Sequence, residues 1–326
     1  MTPWVERPTL TLDLDRVRRG EPPDLPPAAV AASKALLGEV LATVPPKARL
    51  LAYLLAVRTG NRFGREFKAA ARLINGDPRD IALANLSYDL IVGSLGCSTL
   101  ALPTPDGPVV ARNMDWWPEG PLARASYVLR CTNGGAWQFT SAGFPGAVGV
   151  VTGVSARGFA VVLNAVSTPD PVCKTGYPVL LHLRRVMEDA TGFDHALAML
   201  SKQRLTTPGL FTLVGSKNDQ RVVVERAPRR FALRWAEPGK PLVTTNNYHL
   251  LDVPPAARDE WDLSRTSCGR YGRLWHLAGR AGPPTDEQLL YWLSDPEVRQ
   301  EITAQHVLIR PARGELRLFV PRALVQ

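Results

Sequence analysis

The spacing of hydrophobic residues changes character near residue 97. Before it, apolar positions recur at helical intervals. Residues 28–44 place Ala28, Leu36, Leu37, Val40 and Leu41 on one side, and 46–57 carry Leu50, Leu51, Tyr53, Leu54 and Leu55. Residues 63–74 and 79–90 predict two further helices, separated by Asn75-Gly76-Asp77-Pro78, a turn followed by a helix start. From Cys97 onward, short β-rich runs bounded by Gly and Pro take over. They predict strands over 98–102, 108–112, 126–131, 137–141, 147–152, 158–164, 210–214, 221–225, 231–235 and 242–245. Helical patterns return at 179–190, 193–201, 267–278 and 286–294. Strands 305–310 and 315–320 then form a hairpin across Pro311-Ala312-Arg313-Gly314. The expectation is a helical segment, 1–96, followed by a mostly antiparallel α+β body, 97–326.

Composition narrows the class. With 326 residues, 45% hydrophobic and 21% charged, the chain can bury a full core. No stretch reaches the roughly 18 apolar residues of a membrane span, and the first twenty residues lack a signal-peptide pattern. A cytoplasmic location is expected. The four cysteines, Cys97, Cys131, Cys173 and Cys268, form no CxxC pair, so neither a zinc knuckle nor a disulfide framework is indicated, and no metal or cofactor is expected. The net charge of +9 is spread along the chain apart from short clusters such as Arg16-Val17-Arg18-Arg19 and Arg229-Arg230. That distribution gives no nucleic-acid-binding face and fits contact with an anionic membrane surface or an acidic substrate equally well.

The chemistry concentrates where the pattern switches. Gly96-Cys97-Ser98-Thr99-Leu100-Ala101-Leu102 reads as a strand, Thr104-Pro105-Asp106-Gly107 as a tight turn, and Pro108 to Asp115 as the returning strand. Hairpin register alone brings Cys97 beside Arg112 and Asp115. A thiol needs a cationic neighbour or a base to act as a nucleophile near neutrality, and the arginine can stabilise a thiolate or an oxyanion. None of the five histidines sits in a cysteine-protease signature.

The stretch CSTLALPTPDGPVVARNMDWW resembles the catalytic hairpin of the acid ceramidase and N-acylethanolamine acid amidase family. Choloylglycine hydrolases and penicillin-type acyltransferases are more distant relatives. The Cys, Arg and Asp of the family motif correspond to Cys97, Arg112 and Asp115, in a hairpin one residue shorter. Asn85-Leu86-Ser87-Tyr88-Asp89 resembles the end of the family's helical propeptide. Thr245-Asn246 resembles its TN motif, with Asn246 preferred to Asn247, and Gly158 to Asn164 resembles a strand that supplies a second polar group. Ser264 to Tyr271 covers the region of a late arginine, for which Arg265 and Arg270 both qualify. Two departures stand out: Trp116-Trp117 follow the motif Asp where ceramidase-type relatives have Tyr, and the acidic residue those relatives carry near Asn164 has no counterpart.

The resemblance implies an αββα sandwich of two antiparallel sheets, the N-terminal-nucleophile (Ntn) hydrolase fold, preceded by a helical propeptide. It also implies cleavage before Cys97, whose freed α-amine would act as base while its thiol attacks an amide carbonyl. Arg112, Asp115, Asn164, Asn246 and Arg265 or Arg270 would complete the site, with the Asn246 side chain in the oxyanion hole. Trp116 and Trp117 are candidates to line an acyl-chain pocket. The expected substrate is a lipophilic N-acyl amide, of N-acylethanolamine or ceramide type. Bile-salt, acyl-homoserine-lactone or penicillin-like amidases and acyltransferases are the alternative, as is a non-catalytic lipid-binding relative; the sequence leaves the oligomeric state open.

Overall fold

In a computed structural model, residues 2–43, 50, 52, 54, 59–91, 96–251, 264–279 and 282–326 are described. Most of the helix expected over 46–57 lies outside them. Two sheets stack face to face. The first has the order β1 (Trp4–Glu6), β14 (Glu315–Pro321), β13 (Thr303–Arg310), β4 (Val109–Asp115), β3 (Gly96–Leu102) and β12 (Leu242–Thr244). The second runs β11 (Phe231–Trp235), β10 (Arg221–Arg226), β9 (Gly209–Gly215), β8 (Phe159–Asn164), β7 (Thr152–Ser155), β6 (Ala136–Gly143), β5 (Tyr127–Asn133) and β2 (Thr9–Asp13). Among these strands every pairing is antiparallel except β2 with β5.

Three apolar layers hold the stack together. Ala101, Val110, Val162, Val223 and Leu318 meet between the sheets. Outside the second sheet, α7 (Val179–Asp189) and α8 (Phe193–Lys202) bury Leu183, Val186 and Leu200 against Phe159, Val161 and Phe211. Outside the first, α9 (Ser264–Gly279) and α10 (Asp286–Leu293) bury Leu274 and Leu289 against Leu100 and Leu308. The expected αββα sandwich is thus the observed architecture.

Among the described residues, the segment before Cys97 holds the expected helices and two short strands that the pattern does not suggest. Helices α2 (Pro27–Thr43) and α3 (Gly64–Ile74) form as expected, α3 ending on Asn75 in the left-handed region. Residues 79–90 divide into α4 (Pro78–Asn85) and α5 (Ser87–Ile91). The Asp77 side chain caps α4 by accepting the Arg79 N–H, with Pro78 preset for the first turn. Ahead of them, β1 and β2 join one sheet each, and α1 (Leu14–Arg18) follows. A buried ion-pair cluster fastens this segment to the body. Arg184 on α7 contacts Glu66 at 2.9 Å and Glu188 at 2.8 Å, while Arg18 and Arg62 reach Glu188 at 2.7 and 2.6 Å.

Residues 147–151 are irregular rather than part of a strand, and α6 (Glu119–Ala125) is an element the pattern does not reveal. The Asn85 Oδ1 accepts the N–H groups of Val148 and Gly149, so those donors leave the sheet ladder. Gly149 also lies against Leu180, where a Cβ would come within 2.7 Å of the leucine side chain. Extended pairing resumes at Thr152.

Candidate active site

The β3–β4 hairpin positions Cys97. Its turn closes because Gly107 adopts a φ of 94°, where a Cβ would meet the Ser216 carbonyl at 2.8 Å. The register sets Gly96 opposite Asp115, Cys97 opposite Met114 and Thr99 opposite Arg112. Strand alternation therefore assigns Cys97, Met114 and Arg112 to the face between the sheets. Arg112, fully buried, reaches diagonally to place Nη2 2.9 Å from Cys97 Sγ. Its Nη1 donates to Thr152 Oγ1 and its Nε to the Asn113 carbonyl, which fixes the guanidinium plane. The Ala165 backbone N–H also favours the charged form of the sulfur.

Burial raises the Cys97 thiol above its ordinary range. Arg112 opposes that shift, Asp115 adds to it, and the Ala165 N–H and Arg270 lower it again. Asp115 sits beside the Gly96–Cys97 bond. Its Oδ1 accepts from Thr303 Oγ1 at 2.6 Å, whereas its buried Oδ2 has no hydrogen-bond partner among the described residues. Burial raises this carboxyl, against the Thr303 hydrogen bond and the charges of Arg270 and Arg112.

Asn246 follows β12 and faces the nitrogen of Cys97. Its Oδ1 accepts the Cys97 N–H at 3.3 Å and the Arg270 Nη2 at 2.8 Å, and its Nδ2 donates to the Ala165 carbonyl at 2.7 Å. Ser267 on α9 accepts the Asn246 N–H and donates to Thr245 Oγ1, which orients the TN turn. Arg270, one turn along α9 and fully buried, donates from Nη1 to the Cys97 carbonyl at 2.7 Å and to Ser98 Oγ at 2.9 Å. Burial lowers this guanidinium, with Asp115 and Cys97 pulling it back. Arg270 is therefore brought to Cys97; the Arg265 side chain lies outside the described residues.

Asn164 is buried next to this group with both ends committed. Its Oδ1 accepts from Thr99 Oγ1 at 2.7 Å and its Nδ2 donates to the carbonyls of Thr244 and Thr245. It thus ties β8 to β3 and β12 and holds the neighbouring Ala165 in place. Asn247 lies one residue beyond the Cys97 contact. Thr152, Ala165, Ser267 and Thr303 serve the site without having been singled out by sequence. They act through a hydroxyl or the backbone, and only Ser267, three residues before Arg270, falls within a quoted motif.

A cavity of about 80 Å³ opens beside this group. Met114, the cross-strand partner of Cys97, lines it together with Trp116 and Trp117. Helix α2 covers it with Leu36, Leu37 and Val40. Trp116 is half-buried 6.4 Å from the Tyr88 ring, while Trp117 is 43% exposed at the rim. Among the described residues no group of three or more His, Cys, Asp or Glu side chains is arranged to hold a metal ion, and no helix is long and apolar enough to cross a membrane.

Several solved structures are similar. An N-acylethanolamine-hydrolyzing acid amidase ortholog from Caenorhabditis elegans superposes with a TM-score of 0.54 at 19% identity, covering 66% of this chain and 93% of that one. At that identity the likeness concerns the fold. A penicillin V acylase from Agrobacterium tumefaciens gives 0.43 at 13% identity over 69% and 83%. A conjugated bile acid hydrolase from Clostridium perfringens gives 0.42 at 13% over 71% and 94%. No curated protein sequence matches the chain. A family model described as acyl-coenzyme A:6-aminopenicillanic acid acyl-transferase matches residues 102–297, which include Arg112, Asp115, Asn164, Asn246 and Arg270 and begin just past Cys97. With more than half its length matched, the chain belongs to that family, among the Ntn amide hydrolases and acyltransferases.

Proposed function

We propose that the chain cleaves itself between Gly96 and Cys97 and then hydrolyses lipophilic N-acyl amides, with Cys97 as nucleophile. The observation that carries the reading is the grouping at Cys97: a guanidinium on its sulfur, Asn246 on its nitrogen, and an apolar cavity lined by its cross-strand neighbour Met114. In the first step Sγ attacks the Gly96 carbonyl carbon, and the Cys97 nitrogen leaves as an amine while a thioester forms. Water then releases the Gly96 carboxylate, and 1–96 and 97–326 become separate chains held by the shared sheets and the Glu66–Arg184 cluster.

The freed α-amine has an ordinary pKa near ~8, so a useful fraction is neutral base at physiological pH. Its protonated form would satisfy Asp115 Oδ2, and Asn246 Oδ1 already faces this nitrogen. Substrate turnover repeats the attack on an external amide. The second Nδ2 hydrogen of Asn246 would donate to the oxyanion, a contact worth about 2.7–4 kcal/mol in barrier. Arg112 would hold the thiolate, and Arg270 would orient Asn246. Trp116 and the α2 leucines would bind the acyl chain, as the name of the Caenorhabditis elegans relative suggests. The matched family's name favours a second outcome, in which an amine rather than water takes the acyl group from the thioester.

A panel of N-acyl amides from acetyl to palmitoyl tests this. Specificity constants should rise by up to about fourfold per methylene until the cavity is filled, since each buried methylene contributes about 0.8 kcal/mol. Cys97→Ala should abolish turnover. A flat response, or a preference for acetyl, would overturn the lipophilic reading. Adding an amine acceptor shows whether transfer competes with hydrolysis.

A further inference from the structure

Gln305 in β13 lines the cavity yet is 1% exposed and only half satisfied. Its Nε2 donates to Ser126 Oγ at 2.7 Å. That hydroxyl gives its single hydrogen to the Leu122 carbonyl at 2.6 Å, so its oxygen must accept from the glutamine. The orientation of the amide is thereby fixed by the network. The other end, Oε1, is buried with no hydrogen-bond partner among the described residues. Other polar groups in the wall are committed. Asn85 uses Oδ1 on the Val148 and Gly149 N–H groups and Nδ2 on the Ile81 and Gly146 carbonyls, and Ser87 donates to the Ala84 carbonyl. A buried amide oxygen left unpaired is costly, and a ligand bearing a donor removes that cost.

The ladder fixes where the donor must be. Gln305 pairs with Met114, and Met114 with Cys97, so the three side chains form one row on one face. Two strand spacings separate the ends of the row, about 10 Å. With carbon–carbon bonds of about 1.5 Å, an extended chain advances by about 1.3 Å per bond. An acyl chain running from Cys97 over Met114 reaches Gln305 at about carbon 5 to 8, with the carbonyl as carbon 1.

We propose that the preferred acyl groups carry a hydroxyl in mid-chain, which donates to Gln305 Oε1. This rests on the lipophilic-amide reading and adds a polar requirement to it. The test compares decanoyl amides of one amine, either plain or hydroxylated at carbon 3, 5, 6, 7 or 8, in wild type and Gln305→Met. In wild type at least one of the carbon 5–8 alcohols should exceed the plain chain by about tenfold in kcat/KM, and the 3-hydroxy chain should not. Gln305→Met should reverse that order. The inference is overturned if wild type prefers the plain chain over every alcohol, if hydroxyl position has no effect, or if the variant keeps the wild-type ratio. The wild-type comparison stands even if the variant fails to fold. If no chain of either kind is hydrolysed, the lipophilic-amide reading falls and takes this inference with it. Turnover of plain chains alone leaves that reading intact and removes only the hydroxyl.

Discussion

Replacing Arg112 by Met keeps most of the apolar stem and removes the guanidinium facing Cys97. The guanidinium lies 2.9 Å from the sulfur. Coulomb's law at an effective dielectric of about 20 gives roughly 6 kcal/mol for unit charges at that distance, an upper bound. The guanidinium is shared with Thr152 and the Asn113 carbonyl, so a net value for one charge-assisted hydrogen bond, about 1.5–3 kcal/mol, is the better guide. Turnover (kcat/KM) on an N-acyl amide should fall by about 10–150-fold. The acid limb of the pH profile should move upward, because losing a cation raises the thiol pKa. Arg112→Lys should fall between, keeping charge but losing the planar fork that reaches both Sγ and Thr152. The assay is kcat/KM against pH for the three proteins, with thermal melts to check folding. A folded Arg112→Met enzyme within twofold of wild type, with an unmoved pH midpoint, would refute the reasoning.

Three further predictions follow from the buried charges. Asp115→Asn should slow both fragment formation and turnover without lowering the melting temperature, since an expensive buried carboxylate is removed; full-rate maturation by mass spectrometry would contradict its role. Burial pushes Asp89 up to about 7 despite the hydrogen bonds it accepts from Thr207 and Val179. The folded state therefore binds this proton more tightly than the unfolded chain. Stability is fully present below about pH 4 and declines as pH rises through 7, by about 2–4 kcal/mol after discounting for partial solvent access. Asp89→Asn should flatten that slope, and parallel melting-temperature profiles for the two proteins would count against it. Arg184→Met removes the buried cation between Glu66 and Glu188 and leaves them the more exposed Arg18, at 3.6 and 2.7 Å; the loss should cost about 3 kcal/mol, read as a lower denaturant midpoint, and an unchanged midpoint would remove the cluster from the account.

Much of this was legible in sequence because it is local. The Cys97–Asp115 hairpin follows from alternation and a Pro-Asp-Gly turn, and its register alone predicts the Arg112–Cys97 diagonal. The Thr245-Asn246 turn and Arg270 were legible through motif resemblance, since nothing local says that they converge on Cys97. What stayed hidden is non-local. β1 and β2 are too short to stand out, and they form because an open sheet edge receives them. The 147–152 run has strand-like composition, but Asn85, more than sixty residues earlier, takes two of its amides. Thr303 and the Ala165 N–H act through groups that carry no sequence signature, and Gln305 stands out only once Ser126 is seen to fix its amide.

The central claim is that Cys97 becomes an N-terminus. Intact mass under denaturing conditions, after incubation from mildly acidic to neutral pH, tests it most directly. The account predicts two fragments, the larger starting at Cys97, and an uncleaved Cys97→Ala chain. Full-length protein under every condition, with amidase activity present, would contradict it.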